Sequence, residues 1–157
     1  MAIHIKNQQK SKSLNLRRVR KALATALSLL GREEAELSVL FVSSAKMKHL
    51  NTLYRGISKE TDVLSFPMDE DKSFRSHASR FTPHDSRPLV LGDIVISIPK
   101  TLQQAEAYSA PFFEELLRLL IHGLLHLLGY DHEKSRYQKV RMEKKEKEIM
   151  HAIARLA

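Results

Sequence analysis

Three histidines stand close together in the segment HGLLHLLGYDH, residues 122–132. His122 and His126 are four residues apart, so on an α-helix they project from one face, one turn apart. Gly129 can adopt the left-handed conformation that ends a helix, and the turn after it can return His132 to the same point. This spacing predicts an open metal site with three imidazole ligands and a fourth position for solvent, as in catalytic zinc sites.

The same histidines could instead be three separate core residues, which is the commoner fate of a lone histidine on an apolar helix. Three of them in a leucine-rich helix would leave several ring nitrogens without partners, each at a cost of about 1–3 kcal/mol. We therefore favour metal binding. Asp131 is predicted either to orient a ligand histidine through a hydrogen bond, without itself binding the metal, or to be a turn residue. Spacing alone does not select the ion, because neutral histidines also suit nickel and copper.

The spacing H-x-x-x-H-x-x-G-x-x-H also occurs in the metzincin proteases, with one difference in chemistry. Those enzymes carry a glutamate directly after the first histidine, where it serves as the general base. Gly123 occupies that position here, and a glycine cannot accept a proton. The segment therefore predicts zincin-like geometry without the protease chemistry, and a peptidase with an unrecognised base stays open as the least favoured alternative.

Hydrophobic periodicity predicts a mixture of strands and helices around this segment. The strands have alternating or β-branched sequences, and they are predicted at 2–7, 36–42, 61–67 and 89–98. The helices have apolar stripes or capping residues, and they are predicted at 14–30, 44–54, 99–108, 111–129 and 136–154. The helix at 111–129 is apolar nearly all round and should be buried at the centre. The last helix is expected to dock through Val140, Ile149 and Ile153.

This order of elements predicts one domain, residues 1–157, of the α+β class, with a mixed sheet packed against helices. Residues 69–88 are polar and aperiodic, and they predict a variable surface loop. The longest apolar-rich stretch, Leu116–Leu128, is too short to span a bilayer. The chain has no cysteine and no apolar block of a secretory signal near its beginning. We therefore expect a cytoplasmic protein that does not enter a membrane.

Positive charge is concentrated at the beginning of the chain. The net charge is +8, yet residues 1–32 hold eight Lys and Arg and no acid, and eighteen basic residues balance eighteen acidic ones thereafter. Such a block predicts contact with a polyanion such as RNA. The candidate RNA-binding residues lie on the outward faces of the first helix and are Arg17, Arg18, Arg20 and Lys21. A solvated helix face, or a surface for an acidic protein partner, fits the same charges.

Three segments of the sequence resemble the motifs of one family, the YbeY family of bacterial endoribonucleases, also called rRNA maturation factors. HGLLHLLGYDH resembles the family signature HGxLHLxGYDH. LNTLYRGISKETDVLSFP, residues 50–67, resembles LNxxYRxxDxxTDVLSFP, and LGDIVIS, residues 91–97, resembles the LGDI-V-IS strand. The three segments occur in the family's order, and the resemblance extends from about residue 39 to residue 133.

The resemblance implies a zincin-like fold with one four-stranded mixed sheet and about five helices. It also implies a zinc-dependent, single-strand-specific endoribonuclease that acts in ribosomal RNA maturation, at the 3′ end of the small-subunit rRNA, and in ribosome quality control. Its implied partners are single-stranded and ribosomal RNA, the small ribosomal subunit and assembly factors. One Zn²⁺ per chain would be bound by His122, His126 and His132, and Arg55, the arginine of the YR pair, would be catalytic.

Two departures from the family pattern and two alternatives accompany this prediction. Ser58 stands where the family often has aspartate, and the loop 69–88 is longer than usual. A non-catalytic ribosome-assembly factor, in which the metal only fastens the helix to its return loop, is the main alternative function. For Arg55, whose planar guanidinium suits a phosphate, the alternative is a surface ion pair with Glu60 or Asp62.

Overall fold

A computed structural model of the chain describes residues 2–68 and 89–156, so the predicted loop 69–88 lies outside the described residues. The strands are β1 (Ala2–Asn7), β2 (Ala35–Val42), β3 (Val63–Pro67) and β4 (Leu89–Ser97). The helices are α1 (Leu16–Leu29), α2 (Ser44–Arg55), α3 (Ile98–Ala107), α4 (Phe112–Leu127) and α5 (Arg136–Leu156). All nine predicted elements are confirmed, with ends that move by at most two residues.

The four strands form one mixed sheet in the order β1-β2-β4-β3. β1 pairs with β2 and β2 pairs with β4 in parallel, whereas β3 joins β4 as an antiparallel edge strand. β4 is therefore an internal strand of the sheet, and the predicted α+β class with a four-stranded mixed sheet and five helices is confirmed in the described part of the chain.

Helix α4 is the central helix, as its sequence predicted. It contacts β3 and β4 as well as α1, α3 and α5, and its side chains Leu119, Leu120 and Leu124 are at most 1% exposed. At Gly123 the helix lies directly on the sheet, because a Cβ there would be 2.9 Å from Ile94 Cγ2. The rigid contact between α4 and the sheet fixes the helix that carries two of the three histidines.

Helix α5 docks on α4 through a different stripe from the one predicted. Ile149 and Ile153 are buried as expected, but Val140 is 55% exposed, and Met142 takes the docking position instead. Residues 142, 149 and 153 repeat at helical spacing, whereas Val140 precedes Met142 by two residues and therefore points to the far side of the helix. The prediction for Val140 was wrong because it rested on the apolar character of valine and not on the helical spacing from Ile149 and Ile153.

Candidate metal centre

The end of α4 turns the chain back on itself, as the glycine predicted. Gly129 has a positive φ of 97°, and its N–H donates to the carbonyl of His126 at 3.0 Å. The N–H of Tyr130 reaches back to the carbonyl of Leu125, also at 3.0 Å, which closes the helix in the manner of a glycine C-cap. The turn places His132 beside the two histidines of the helix.

The ring nitrogens of the three histidines converge on one point. His126 Nε2 lies 3.1 Å from His122 Nε2 and 3.0 Å from His132 Nδ1, and one ligand atom of each residue lies within 4.8 Å of the others. Around a tetrahedral zinc ion with Zn–N bonds of about 2.0–2.1 Å, ligand nitrogens are about 3.3 Å apart. The three rings therefore need only small shifts to hold one ion, and the donor set fits zinc.

The protonation of His126 also suits a ligand. Burial lowers the pKa of His126 below its usual value, and the charges of His122 and His132 lower it further. A neutral imidazole keeps a lone pair for a cation, and a bound ion relieves the crowding of nitrogen lone pairs at this point. The arrangement therefore favours a metal ion over added protons.

The three histidines line an open cleft of about 540 Å³ beside strand β3. The other polar side chains that line it are Arg55, Thr61, Asp62, Ser65, Arg118, Asp131 and Glu133. The structure thus brings the predicted catalytic arginine and the predicted ligands into one cleft. Since the histidines are only half-buried, a ligand from solution can reach the point where their nitrogens meet.

Comparison with known proteins assigns the chain to a family. A family model described as Endoribonuclease YbeY matches residues 4–154. The chain belongs to the YbeY family. The endoribonuclease YbeY of Persephonella marina is 41% identical over 133 residues, which cover 85% of this chain and 80% of that protein. The endoribonuclease YbeY of Thermoanaerobacter sp. is 40% identical over 156 residues and covers 96% of both chains. The resemblance inferred from the three motifs is thereby confirmed.

A solved structure agrees with the fold. The solution structure of TM1509 from Thermotoga maritima has a TM-score of 0.62 to this chain, with 25% sequence identity, and covers 96% of this chain and 88% of its own. The likeness therefore spans nearly all of this YbeY-family chain.

Glu146 lies beside the three histidines, and the predictions from the sequence did not include it. Its Oε1 lies 2.5 Å from Nδ1 of His122, and the two side chains are 13% and 21% exposed. A carboxylate that accepts the Nδ1 proton fixes the tautomer in which Nε2 of His122 has a free lone pair. The sequence contained an indication of this role, because Glu146 is an acidic residue at helical spacing between Met142 and Ile149, on the apolar stripe of α5 that is buried.

Replacing Glu146 should weaken metal binding. Carboxylates behind a ligand histidine typically contribute 10- to 100-fold to metal affinity, so we expect about tenfold weaker zinc binding in Glu146→Gln and about 100-fold in Glu146→Leu. Competition with a chromophoric chelator measures both affinities. Glu143→Gln, an exposed change on the same helix, is the control. Wild-type affinity in Glu146→Leu would contradict the role of this carboxylate.

Arg55 does not form the surface ion pairs that were its alternative. It is exposed and ends α2, where Gly56 caps the helix in the left-handed conformation. Glu60 accepts hydrogen bonds from Ser44 and Ser97, both at 2.9 Å. Asp62 accepts them from the Val63 N–H at 2.7 Å and from Gln104 at 3.2 Å. Within residues 2–68 and 89–156, no ion pair joins Arg55 to either acid.

Asp131 has a hydrogen bond that is typical of a turn. Its Oδ1 accepts the backbone N–H of Glu133 at 2.8 Å, and this bond lowers the pKa of the carboxyl. In the described part of the chain, Asp131 has no hydrogen bond to a histidine, whereas Glu146 contacts Nδ1 of His122. The orienting role of Asp131 stays a prediction.

The basic residues of α1 lie away from the cleft. Arg17, Arg18, Arg20 and Lys21 are exposed as predicted, but none of them lines the cleft of the histidines. The guanidinium of Arg18 stacks 3.7 Å above the ring of Phe113 at the beginning of α4, and Arg20 donates to the carbonyl of Ile3. A contact of this surface with RNA stays a prediction.

Proposed function

We propose that this YbeY-family chain is a metal-dependent endoribonuclease that hydrolyses phosphodiester bonds of single-stranded RNA in ribosomal RNA maturation. The observation that carries the proposal is the open cleft in which three imidazoles converge on one point and which Arg55 also lines. Relatives that are 40% and 41% identical over most of the chain bear the name endoribonuclease YbeY, which supports RNA as the substrate.

In this proposal the histidines of the cleft bind the metal and Arg55 binds the phosphate. His122, His126 and His132 would hold one Zn²⁺, with His122 oriented by Glu146. When bound, such an ion supplies Lewis acidity to a phosphodiester. Arg55 offers a planar fork of N–H donors to the non-bridging phosphate oxygens, and its charge stabilises the additional negative charge of the transition state.

The openness of the site favours an enzyme over an assembly factor with a structural metal. Structural zinc sites are closed by four protein ligands, whereas catalytic sites have three and leave one position open. The described residues supply three histidines, half-buried at the wall of a cleft. A peptidase is disfavoured because position 123, where a metzincin has its general base, is packed against Ile94 and leaves no space for a side chain.

The finer parts of the proposal come from the family resemblance. They are zinc as the ion, action at the 3′ end of the small-subunit rRNA, a part in ribosome quality control, contacts with the small subunit and assembly factors, and a cytoplasmic location. Among the described residues, no helix has the length and apolar character needed to cross a bilayer.

Removal of the metal should abolish RNA cleavage. We expect the purified protein to contain one zinc ion per chain and to cut an end-labelled single-stranded RNA, to lose that activity on chelation, and to regain it with one equivalent of zinc. Gel analysis of the RNA and elemental analysis of the protein give both measurements. The same sequence as a duplex is the control, and a peptide library tests the peptidase. Undiminished cleavage by metal-free protein would contradict the proposal.

A further inference from the structure

A second guanidinium, that of Arg118, lies in the same cleft as the histidines. Arg118 precedes His122 by four residues on α4, and His126 follows by four more, so the three side chains form a row on one face of the helix. Successive members of this row are separated by about 6 Å along the helix axis. The row therefore extends from the metal ligands toward the beginning of α4, along the wall of the cleft.

Glu115 fixes the guanidinium of Arg118 in place. The Nε of Arg118 lies 2.6 Å from Oε1 of Glu115, and its Nη2 lies 2.9 Å from Oε2. The carboxylate is only 2% exposed, whereas the arginine side chain is 40% exposed. Because a buried carboxylate strongly requires its cationic partner, this two-point contact holds the arginine in one orientation while part of it faces solvent.

The hydrogen-bonding capacity of Arg118 is only partly used by Glu115. A guanidinium has five N–H donors, and Glu115 takes two of them along the Nε–Nη2 edge. In residues 2–68 and 89–156, Arg118 has no other hydrogen-bond acceptor. The end-on edge, with one N–H each from Nη1 and Nη2, is the edge that binds two oxygens of a phosphate side by side.

We propose that Arg118, held by Glu115, is a second phosphate-binding subsite, which takes the phosphate next to the scissile one in a single RNA strand. This inference rests on the proposed function, since it places the scissile phosphate at the histidines and Arg55. Arg118 precedes His122 by four residues, about 6 Å along the helix axis, which is comparable with the spacing of adjacent phosphates in a nucleic-acid strand. The subsite would align the strand along α4 and contribute mainly to substrate binding.

The test combines RNA strands in which one phosphate is uncharged with a protein variant in which Glu115 and Arg118 are both replaced by neutral residues. The cleaved bond of a single-stranded oligonucleotide is first mapped, and each neighbouring phosphate is then replaced by an uncharged methylphosphonate. We expect the KM of the wild type to rise about tenfold for one of the two substitutions, because a charge-assisted bidentate contact is lost. The kcat should change little.

The matched variant is Glu115→Gln/Arg118→Gln, which removes both charges together and leaves no unpaired buried carboxylate. This variant should have a raised KM for the normal strand and no further rise with the methylphosphonate. Arg32→Gln removes one positive charge from an exposed site outside the cleft and should behave as the wild type. Thermal unfolding confirms that each variant is folded.

Two outcomes would overturn the subsite. One is a wild-type KM that is insensitive to the methylphosphonate at both neighbouring positions, and the other is an equal rise in wild type and double variant. A wild type that cleaves no RNA at all would instead contradict the proposed function. In that case the dissociation constants of the same strands are measured by fluorescence anisotropy. Arg118 binds a phosphate if a methylphosphonate weakens binding to the wild type but not to the double variant, and it does not if both proteins respond alike.

Discussion

Replacing His126 with alanine is expected to remove both the bound metal and RNA cleavage. The Nε2 of His126 is the atom that lies near both other ring nitrogens, at 3.1 Å from His122 and 3.0 Å from His132. Without it, two ligands remain, and they are too few to retain zinc against a chelator. Loss of the ion removes several kcal/mol of transition-state stabilisation, so we expect a decrease in rate of roughly 10³-fold or more.

Zinc per chain and the initial rate of cleavage are measured on the same preparation of this variant. His49→Ala, an exposed change on α2, is the matched control and should retain both the metal and the activity. A His126→Ala protein with one zinc per chain would contradict the assignment of the ligands. Equal, weak cleavage by the wild type and both variants would point to a contaminating nuclease and favour the assembly-factor alternative.

The sequence predicted the parts of this site that depend on local geometry. His122 and His126 lie one helical turn apart whatever surrounds them, and Gly129 ends the helix, so their convergence with His132 follows from a segment of eleven residues. The helices could also be predicted, since an apolar stripe decides which face of α1 is buried, and α4 is apolar nearly all round and therefore central. Motif resemblance added Arg55, which residue type alone would have assigned to an ion pair.

The parts that could not be predicted depend on how distant elements pack. Glu146 reaches His122 across 24 positions of sequence, only because α5 docks on α4 through Met142, Ile149 and Ile153. Because Val140 was taken as a docking residue instead of Met142, the sequence did not indicate which face of α5 packs on α4, and Glu146 lies on that face. Likewise, composition identified the basic residues of α1 but not the surface that they occupy, which depends on the contacts of α1 with β1, α4 and α5.

Replacing Arg55 with alanine is expected to lower kcat about 10²- to 10³-fold, the usual effect of losing one donor that stabilises transition-state charge. In contrast to His126→Ala, this variant should keep its zinc and its thermal stability. Arg55 is exposed, its helix is capped by Gly56, and no described acid forms an ion pair with it. Single-turnover cleavage, zinc content and melting temperature are the measurements, and Lys48→Ala, another exposed cation on α2, is the control.

Arg55→Lys separates the charge of the guanidinium from its shape. A lysine retains the positive charge but lacks the planar fork that binds two phosphate oxygens at once, so we expect it to restore only part of the lost kcat. Full recovery would mean that charge alone acts at this position. A wild-type rate in Arg55→Ala would exclude Arg55 from the chemical step. In that case Arg118, which lines the same cleft, would be the remaining arginine there to contact the scissile phosphate.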